Sequence, residues 1–175
     1  MMRREILISG FGGQGVVLAG RVLGQSAVSA GLRASMLVSH GTETRGGYVR
    51  SQVVIADGDI DSPVVERPDF FCAMSLAAYR RFIHSMAGGV VFYDPELVAG
   101  RPGETIAGTA LPARRISIDE TGGPLAANMV MLGAVLRGLG RIPLDTAAQA
   151  ARQAMPRHAE TNVRALRAGW SFTGA

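Results

Sequence analysis

The sequence contains no lysine: all 18 basic residues are arginine, set against 14 acidic residues for a net charge of +4. The arginines are scattered. Arg3-Arg4, Arg80-Arg81 and Arg114-Arg115 are isolated pairs, with no basic run and no interleaved aromatics. That pattern excludes the usual nucleic-acid footprint and reads better as solvated or subunit-facing surface. Cysteine is nearly absent. With Cys72 alone, the chain can form no internal disulfide and can hold no cysteine-ligated iron–sulfur cluster by itself. Cys72 lies in the apolar run Phe70-Phe71-Cys72-Ala73-Met74 and reads as a small buried hydrophobe, not a nucleophile. His40, His84 and His158 are too far apart for any metal-ligand spacing. No apolar stretch approaches the roughly 20 residues of a membrane-crossing helix. Met1-Met2-Arg3-Arg4 leads into an apolar run broken by Glu5 and glycines, so no secretory signal is read there and the cytoplasm is the expected compartment.

Aromatics make up only 6% of the chain, so a core has to come from Ala, Val, Leu, Ile and Met. The length of 175 residues suits one domain, taken as residues 1–175, with no linker or repeat. Strands are expected over residues 5–9, 33–38, 48–56, 69–73, 90–93 and 115–118. Helices are expected over 16–30, 75–86, 124–139, 144–155 and 157–168, with Ser75 as an N-cap and Gly31 closing the first helix. Gly20, Gly24 and Ala27 fall at helical spacing and form a small-residue face that can lie close to a sheet. Residues 60–68 hold two prolines and should be extended and irregular, and most of 97–115 carries no clear signal. The first forty residues thus read strand–loop–helix–strand. The expected fold is α/β: a three-layer α/β/α arrangement, Rossmann-like, with a mostly parallel sheet and a helical C-terminal part.

Gly10-Phe11-Gly12-Gly13-Gln14-Gly15 satisfies G-x-G-x-x-G between a strand and a helix. Glycines permit positive φ and close backbone approach, and the helix start offers free N–H groups to an anion. A dinucleotide site would also need an acid at the end of the second strand, about 20 residues on. No Asp or Glu occurs from Val16 to Thr42, which argues against a nicotinamide site. Another phosphate ligand, or close helix–strand packing, explains the glycines as well.

Ser39-His40-Gly41-Thr42-Glu43-Thr44-Arg45-Gly46-Gly47 follows the second strand, at the sheet edge where ligands bind in open α/β folds. Arg45 could clamp a carboxylate or phosphate, with Glu43 holding it in place. His40 could act as a general base but has no partner in sequence range and reads as structural. Asn128 is a polar residue in the first turn of a strongly apolar helix, suited to a capping or core role or to reaching a ligand. The segment His158-Ala159-Glu160-Thr161-Asn162 reads as a solvated face.

These residues carry a family resemblance. The run Gly10 to Val16 with Ala19-Gly20 and Leu23-Gly24 behind it, then Gly41 to Gly47, Ile60-Asp61-Ser62-Pro63, Pro68-Asp69, Asn128 to Gly133 and Glu160-Thr161-Asn162, resemble the gamma subunit of 2-oxoacid:ferredoxin oxidoreductases, the pyruvate and 2-oxoglutarate synthase group. The extended glycine loop followed by E-x-R-G-G is the specific part. The resemblance implies a subunit of a CoA-dependent enzyme that converts a 2-oxoacid to an acyl-CoA and carbon dioxide and passes electrons to ferredoxin. It implies alpha and beta subunits carrying thiamine diphosphate with Mg, iron–sulfur clusters in other chains, and either a ferredoxin-like delta subunit or an external acceptor. This chain would bind none of those cofactors alone. It would be structural and CoA-proximal, with Gly10, Gly12, Gly13, Gln14, Gly15, Thr42, Glu43, Arg45, Gly46, Gly47 and Asn128 facing CoA phosphates or the subunit seam. His40-Gly41-Thr42 departs from the Tyr-Gly and Pro or Ala usual in that loop, while the segments around Tyr79 and residues 60–63 are closer to the 2-oxoglutarate type than to the pyruvate type. The alternative from another class is a free-standing nucleotide-binding module or regulator.

Overall fold

The structure is a computed structural model describing residues 1–41, 47–86, 88–100 and 105–174. Among the described residues a six-stranded sheet runs in the order β2-β3-β1-β4-β5-β6. The strands are β1 (Arg3–Phe11), β2 (Arg33–His40), β3 (Tyr48–Ala56), β4 (Phe70–Ala73), β5 (Val90–Tyr93) and β6 (Thr109–Ala110). The helices are α1 (Val16–Ser29), α2 (Leu76–Phe82), α3 (Ala113–Thr121), α4 (Ala127–Leu139), α5 (Leu144–Ala154) and α6 (Ala159–Ser171). Only β3 is antiparallel to its neighbours, β1 and β2; the pairs β1–β4, β4–β5 and β5–β6 are parallel. The sheet is therefore mostly parallel, and the α/β expectation holds.

The opening unit differs in one respect from a simple doubly wound start. β2 does not pair with β1. β3 returns by the short connection after His40 and inserts between them, in register from Arg3↔Ala56 to Phe11↔Tyr48 on one side and from Arg33↔Ala56 to His40↔Val49 on the other. A connection this short favours an antiparallel partner, whereas a parallel one needs a crossover of a dozen or more residues.

α1 lies directly on this mixed half. A Cβ on Gly20 would stand 2.8 Å from both Met36 Cε and Ser51 Cβ, so the helix needs glycine there. Ala27 is fully buried as expected, but Gly24 is only half-buried, and a Cβ built there would meet nothing within 4 Å. Ile6, Ile8, Val53 and Ile55 join α1, α4, α5 and α6 in the main core. A second cluster joins Leu7, Phe71 and Val91 of the sheet to Tyr79 and Phe82 of α2 and to Val98 of the segment after β5. Ser75 caps α2 as its spacing suggests, its Oγ accepting from Ala78 N at 3.2 Å. The helix is shorter than expected and ends in a tight turn over Ile83–Ser85.

Residues 115–118 are helical, not a strand: they belong to α3. Arg-Arg-Ile-Ser-Ile looks alternating, yet the buried residues are Ala113 and Ser117, one helical turn apart. Asp94 starts the helix by accepting from Arg114 N at 2.7 Å. The helix expected over 124–139 begins as a tight turn, Pro124–Ala126, and continues as α4. Residues 60–68 form no helix or strand; Glu5 ties them down, accepting from Glu66 N at 2.7 Å and Arg67 N at 2.9 Å.

α4 and α6 cross at backbone contact. Cβ atoms built on Gly133 and Gly169 would collide with main-chain atoms of the facing helix, Trp170 N at 2.6 Å and Val130 C at 2.7 Å among them. Two glycines facing each other let the axes approach below the usual helix spacing of about 8–10 Å. Ten consecutive residues of α4, Ala127 to Leu136, are buried as a result.

Cys72 is fully buried, and burial pushes its thiol pKa up to about 12. The folded protein is therefore expected to resist a thiol reagent at pH 8 and to react fully once denatured, as a timed 5,5′-dithiobis(2-nitrobenzoate) assay would read. Rapid labelling of the native protein would contradict the buried position.

Candidate functional site

The glycine loop emerges at the carboxyl end of β1. Gly13 and Gly15 sit at φ +87° and +75°, in the left-handed region that favours glycine. Gly10 is held by close approach, since a Cβ there would meet the Gln14 side chain and stand 2.8 Å from Met74 Cβ. Gly12 faces open space. Gln14 turns back on the loop. Its Oε1 accepts from Phe11 N at 2.6 Å and its Nε2 donates to Met74 O at 2.8 Å. The side chain is thus a strut between the loop and the end of β4, and its amide is already used.

Gly15 is the N-cap of α1. It offers no side-chain cap, and the first turn of the helix contains no acid. Ala19 N is the first α1 amide bonded inside the helix, to Gly15 O at 2.9 Å. The amides of Val16, Val17 and Leu18 therefore point out of the helix start, an arrangement that favours an anion.

Asn128 closes the other side. Its Nδ2 donates to Gly15 O at 3.1 Å, tying α4 to the loop across 113 residues of sequence. A Cβ on Gly15 would collide with this side chain. Asn128 is 2% exposed, and its Oδ1 is buried without a partner. Asn162 on α6 is 5% exposed, and its Nδ2 is likewise buried without a partner. Both line one cleft of about 360 Å³, together with Gly13, Gly15, Leu18, the Gly122-Gly123 turn, Leu125 and Thr161. The starts of α1, α4 and α6 converge there, and no carboxylate lines it. An unpaired buried acceptor and an unpaired buried donor leave a site unfinished without a ligand or ordered water.

Asn162 was expected on a solvated face and is buried. It shares a stripe with Ala165, Leu166 and Gly169, all buried, at helical spacing from 162. That spacing was readable; the polar neighbours His158, Glu160 and Thr161 concealed it. Glu160 does face solvent, paired with Arg152 at 2.9 Å, which holds its carboxyl below the usual range through the hydrogen bond and the charge.

Thr42, Glu43, Arg45 and Gly46, expected to form the second half of the site, lie outside the described residues. The ends of their loop are described. Gly41 N donates to Tyr48 O at 2.8 Å, and Tyr48 pairs with Phe11, so His40, Gly41 and Gly47 stand beside the glycine loop. His40 is exposed and lines a shallow recess of about 360 Å³ on the far side of that loop. The described ends of the second loop lie beside the glycine loop, but the strand beside β1 is the antiparallel β3. The position from which an acid would reach a nicotinamide ribose is therefore not formed. Among the described residues, no three His, Cys, Asp or Glu side chains come together as a metal site, and no helix is long and apolar enough to cross a membrane.

The family described as pyruvate ferredoxin/flavodoxin oxidoreductase matches residues 5–172. The 2-oxoglutarate synthase subunit KorC of Methanothermobacter marburgensis is 40% identical over 177 residues, covering 96% of this chain and 95% of its own. The gamma subunit of a keto/oxoacid ferredoxin oxidoreductase from Geobacter sulfurreducens PCA superposes with a TM-score of 0.81 at 30% identity, over 97% of this chain and 95% of that one. The 2-oxoglutarate:ferredoxin oxidoreductase from Magnetococcus marinus, solved with 2-oxoglutarate, coenzyme A and succinyl-CoA bound, matches in fold, with a TM-score of 0.83 at 23% identity over all of this chain and 32% of that longer one. The chain belongs to the pyruvate ferredoxin/flavodoxin oxidoreductase family and is a subunit of a 2-oxoacid:ferredoxin oxidoreductase.

Proposed function

We propose that this chain is the gamma subunit of a 2-oxoglutarate:ferredoxin oxidoreductase, and that its glycine loop and the Asn128–Asn162 cleft hold part of coenzyme A. The substrate follows the relative from Methanothermobacter marburgensis, which matches end to end. The observation that carries the coenzyme A assignment is the pair of unpartnered buried atoms, Asn128 Oδ1 and Asn162 Nδ2, beside a helix start with no acid among the residues lining the cleft. Coenzyme A combines phosphates with ring and amide groups, and this set of donors and acceptors suits both. The same reading gives Arg45 the role of binding a phosphate, with Glu43 to steady it.

The chain's own contribution is binding and orientation. Its residues do not suit the other cofactors: Mg²⁺ takes oxygen ligands such as carboxylates, and none lines the cleft. A cubane cluster takes four thiolates, and the single cysteine is buried in the core. Thiamine diphosphate, its metal and the clusters are assigned to alpha, beta and delta partners, with ferredoxin as acceptor. Thiamine diphosphate, when bound in those partners, supplies the carbanion chemistry. Here the amides of Val16 to Leu18 and the two asparagines would hold the coenzyme so that its thiol end reaches the partner chain. Exposed Phe11 and Leu125 flank the glycine loop and offer apolar surface for that chain to cover.

The test is anaerobic purification through a tag on this chain, followed by dye reduction with a panel of 2-oxoacids. Co-purifying subunits, and CoA-dependent reduction fastest with 2-oxoglutarate, are expected. Preference for pyruvate would overturn the substrate. A chain that purifies alone and binds a nucleotide tightly would favour the free-standing module.

A further inference from the structure

We propose that Arg114 binds a phosphate group of the ligand whose other end enters the Asn128–Asn162 cleft, so that the bound molecule lies across the glycine loop at Gly13. The inference rests on the coenzyme A reading above and adds a residue and a direction to it.

A second recess, of about 250 Å³, adjoins the first. Gly13 and Leu125 line both, so they form the ridge between them. Leu125 is 85% exposed, an apolar side chain standing at the boundary of two polar-edged hollows. Beyond the ridge lie Gln14, Met74, Leu97 and Arg114, and no acid lines this recess either.

The exposed side chain of Arg114 is free because of how Asp94 is used. Asp94 is 1% exposed. Its Oδ1 accepts from Glu96 N at 2.9 Å and its Oδ2 from Arg114 N at 2.7 Å. The carboxylate is thus committed to main-chain donors, one in its own turn and one at the start of α3, and does not neutralise the guanidinium. Among the described residues no carboxylate or carbonyl pairs with the Arg114 side chain. Gln14 is committed too, through both ends of its amide. The second recess is left with one charged side chain able to bind a ligand, and it is a cation. The first recess offers the two asparagines, Thr161, His158 and a helix start. A ligand with polar ring or amide groups at one end and a phosphate at the other matches the pair. Coenzyme A carries phosphate at two places, the diphosphate and the 3′-phosphate.

Comparing CoA, 3′-dephospho-CoA and pantetheine as the varied thiol substrate in the dye-reduction assay, on the assembled enzyme, tests this. Arg114→Ala is expected to raise the apparent KM for CoA by about tenfold or more, the worth of a charge-assisted hydrogen bond. Arg114→Lys should recover part of the loss. Pantetheine, which lacks both phosphate sites, should bind wild type and variant alike. If dephospho-CoA also escapes the loss, Arg114 holds the 3′-phosphate; if it shares the loss, Arg114 holds the diphosphate. No loss for CoA, or an equal loss for all three compounds, overturns the inference. Asn128→Ala, run in parallel, separates the two levels. If it weakens CoA and Arg114→Ala does not, only Arg114 is misassigned. If neither variant changes CoA affinity, the coenzyme A reading falls and this inference with it.

Discussion

Gly169→Ala is expected to lower stability by about 3 kcal/mol, a large effect for one methyl group. The new Cβ would fall on Val130 O and C, and at Gly133 the same change would fall on Leu166 O and Trp170 N. These neighbours are main chain. No rotamer change can clear them, so α4 and α6 must separate along a face where both are buried. Alanine improves helix propensity by about 1 kcal/mol over glycine, and the clash has to exceed that gain. Gly24→Ala supplies the opposite case. It sits in α1 with nothing within 4 Å of its Cβ position, so only the propensity gain applies and the variant should be more stable by up to about 1 kcal/mol. Urea unfolding of the purified assembly would read both. A Gly169→Ala protein as stable as wild type would show that the helices are not held at backbone contact. Because Asn162 rides on α6 and Asn128 on α4, the damaged variant should also lose the cleft.

The two asparagines should separate binding from stability. Asn162 makes no hydrogen bond through Nδ2 within the protein, so Asn162→Ala is expected to leave stability nearly unchanged while raising the apparent KM for coenzyme A by about tenfold. Asn128 makes one bond, to Gly15 O, and leaves Oδ1 open. Asn128→Ala should lose both coenzyme affinity and about 1 kcal/mol of stability, as its helix tether to the glycine loop goes. The double variant should show a combined loss smaller than the sum, since both groups complete one site. Steady-state kinetics beside unfolding curves would check this. If Asn162→Ala destabilised the protein and left the coenzyme KM unchanged, Asn162 would be a packing residue.

Some of this was legible in the sequence. Strand β3 matches its expected bounds because Tyr48 to Ala56 is long and β-rich, ending at Asp57-Gly58. β5 does so for the same reason, between Gly88-Gly89 and Asp94-Pro95. The glycine loop announced itself, and so did Ser75 as a cap. Local patterns of this kind are set by neighbours in the chain, and the chain displays them. α3 failed because its short alternating run satisfies two periods at once. β6 failed because two residues carry no pattern. Residues 42–46, central to the expected site, lie outside the described residues.

The sequence by itself determined the α/β class, the helix start with glycines at Gly13 and Gly15, and the buried cysteine. These depend on residue type and short-range spacing. Tertiary structure alone decided that β3 separates β1 from β2, that Gln14 is tied to Met74, and that Asn128 and Asn162 face one cleft with opposite unpaired groups. It also decided that Asp94 binds main chain and leaves Arg114 free. Each of these is a hydrogen-bond pairing or strand order between segments distant in sequence. A backbone amide or a carboxylate has the same identity whichever partner it finds, so its partner becomes known only when the chain has packed.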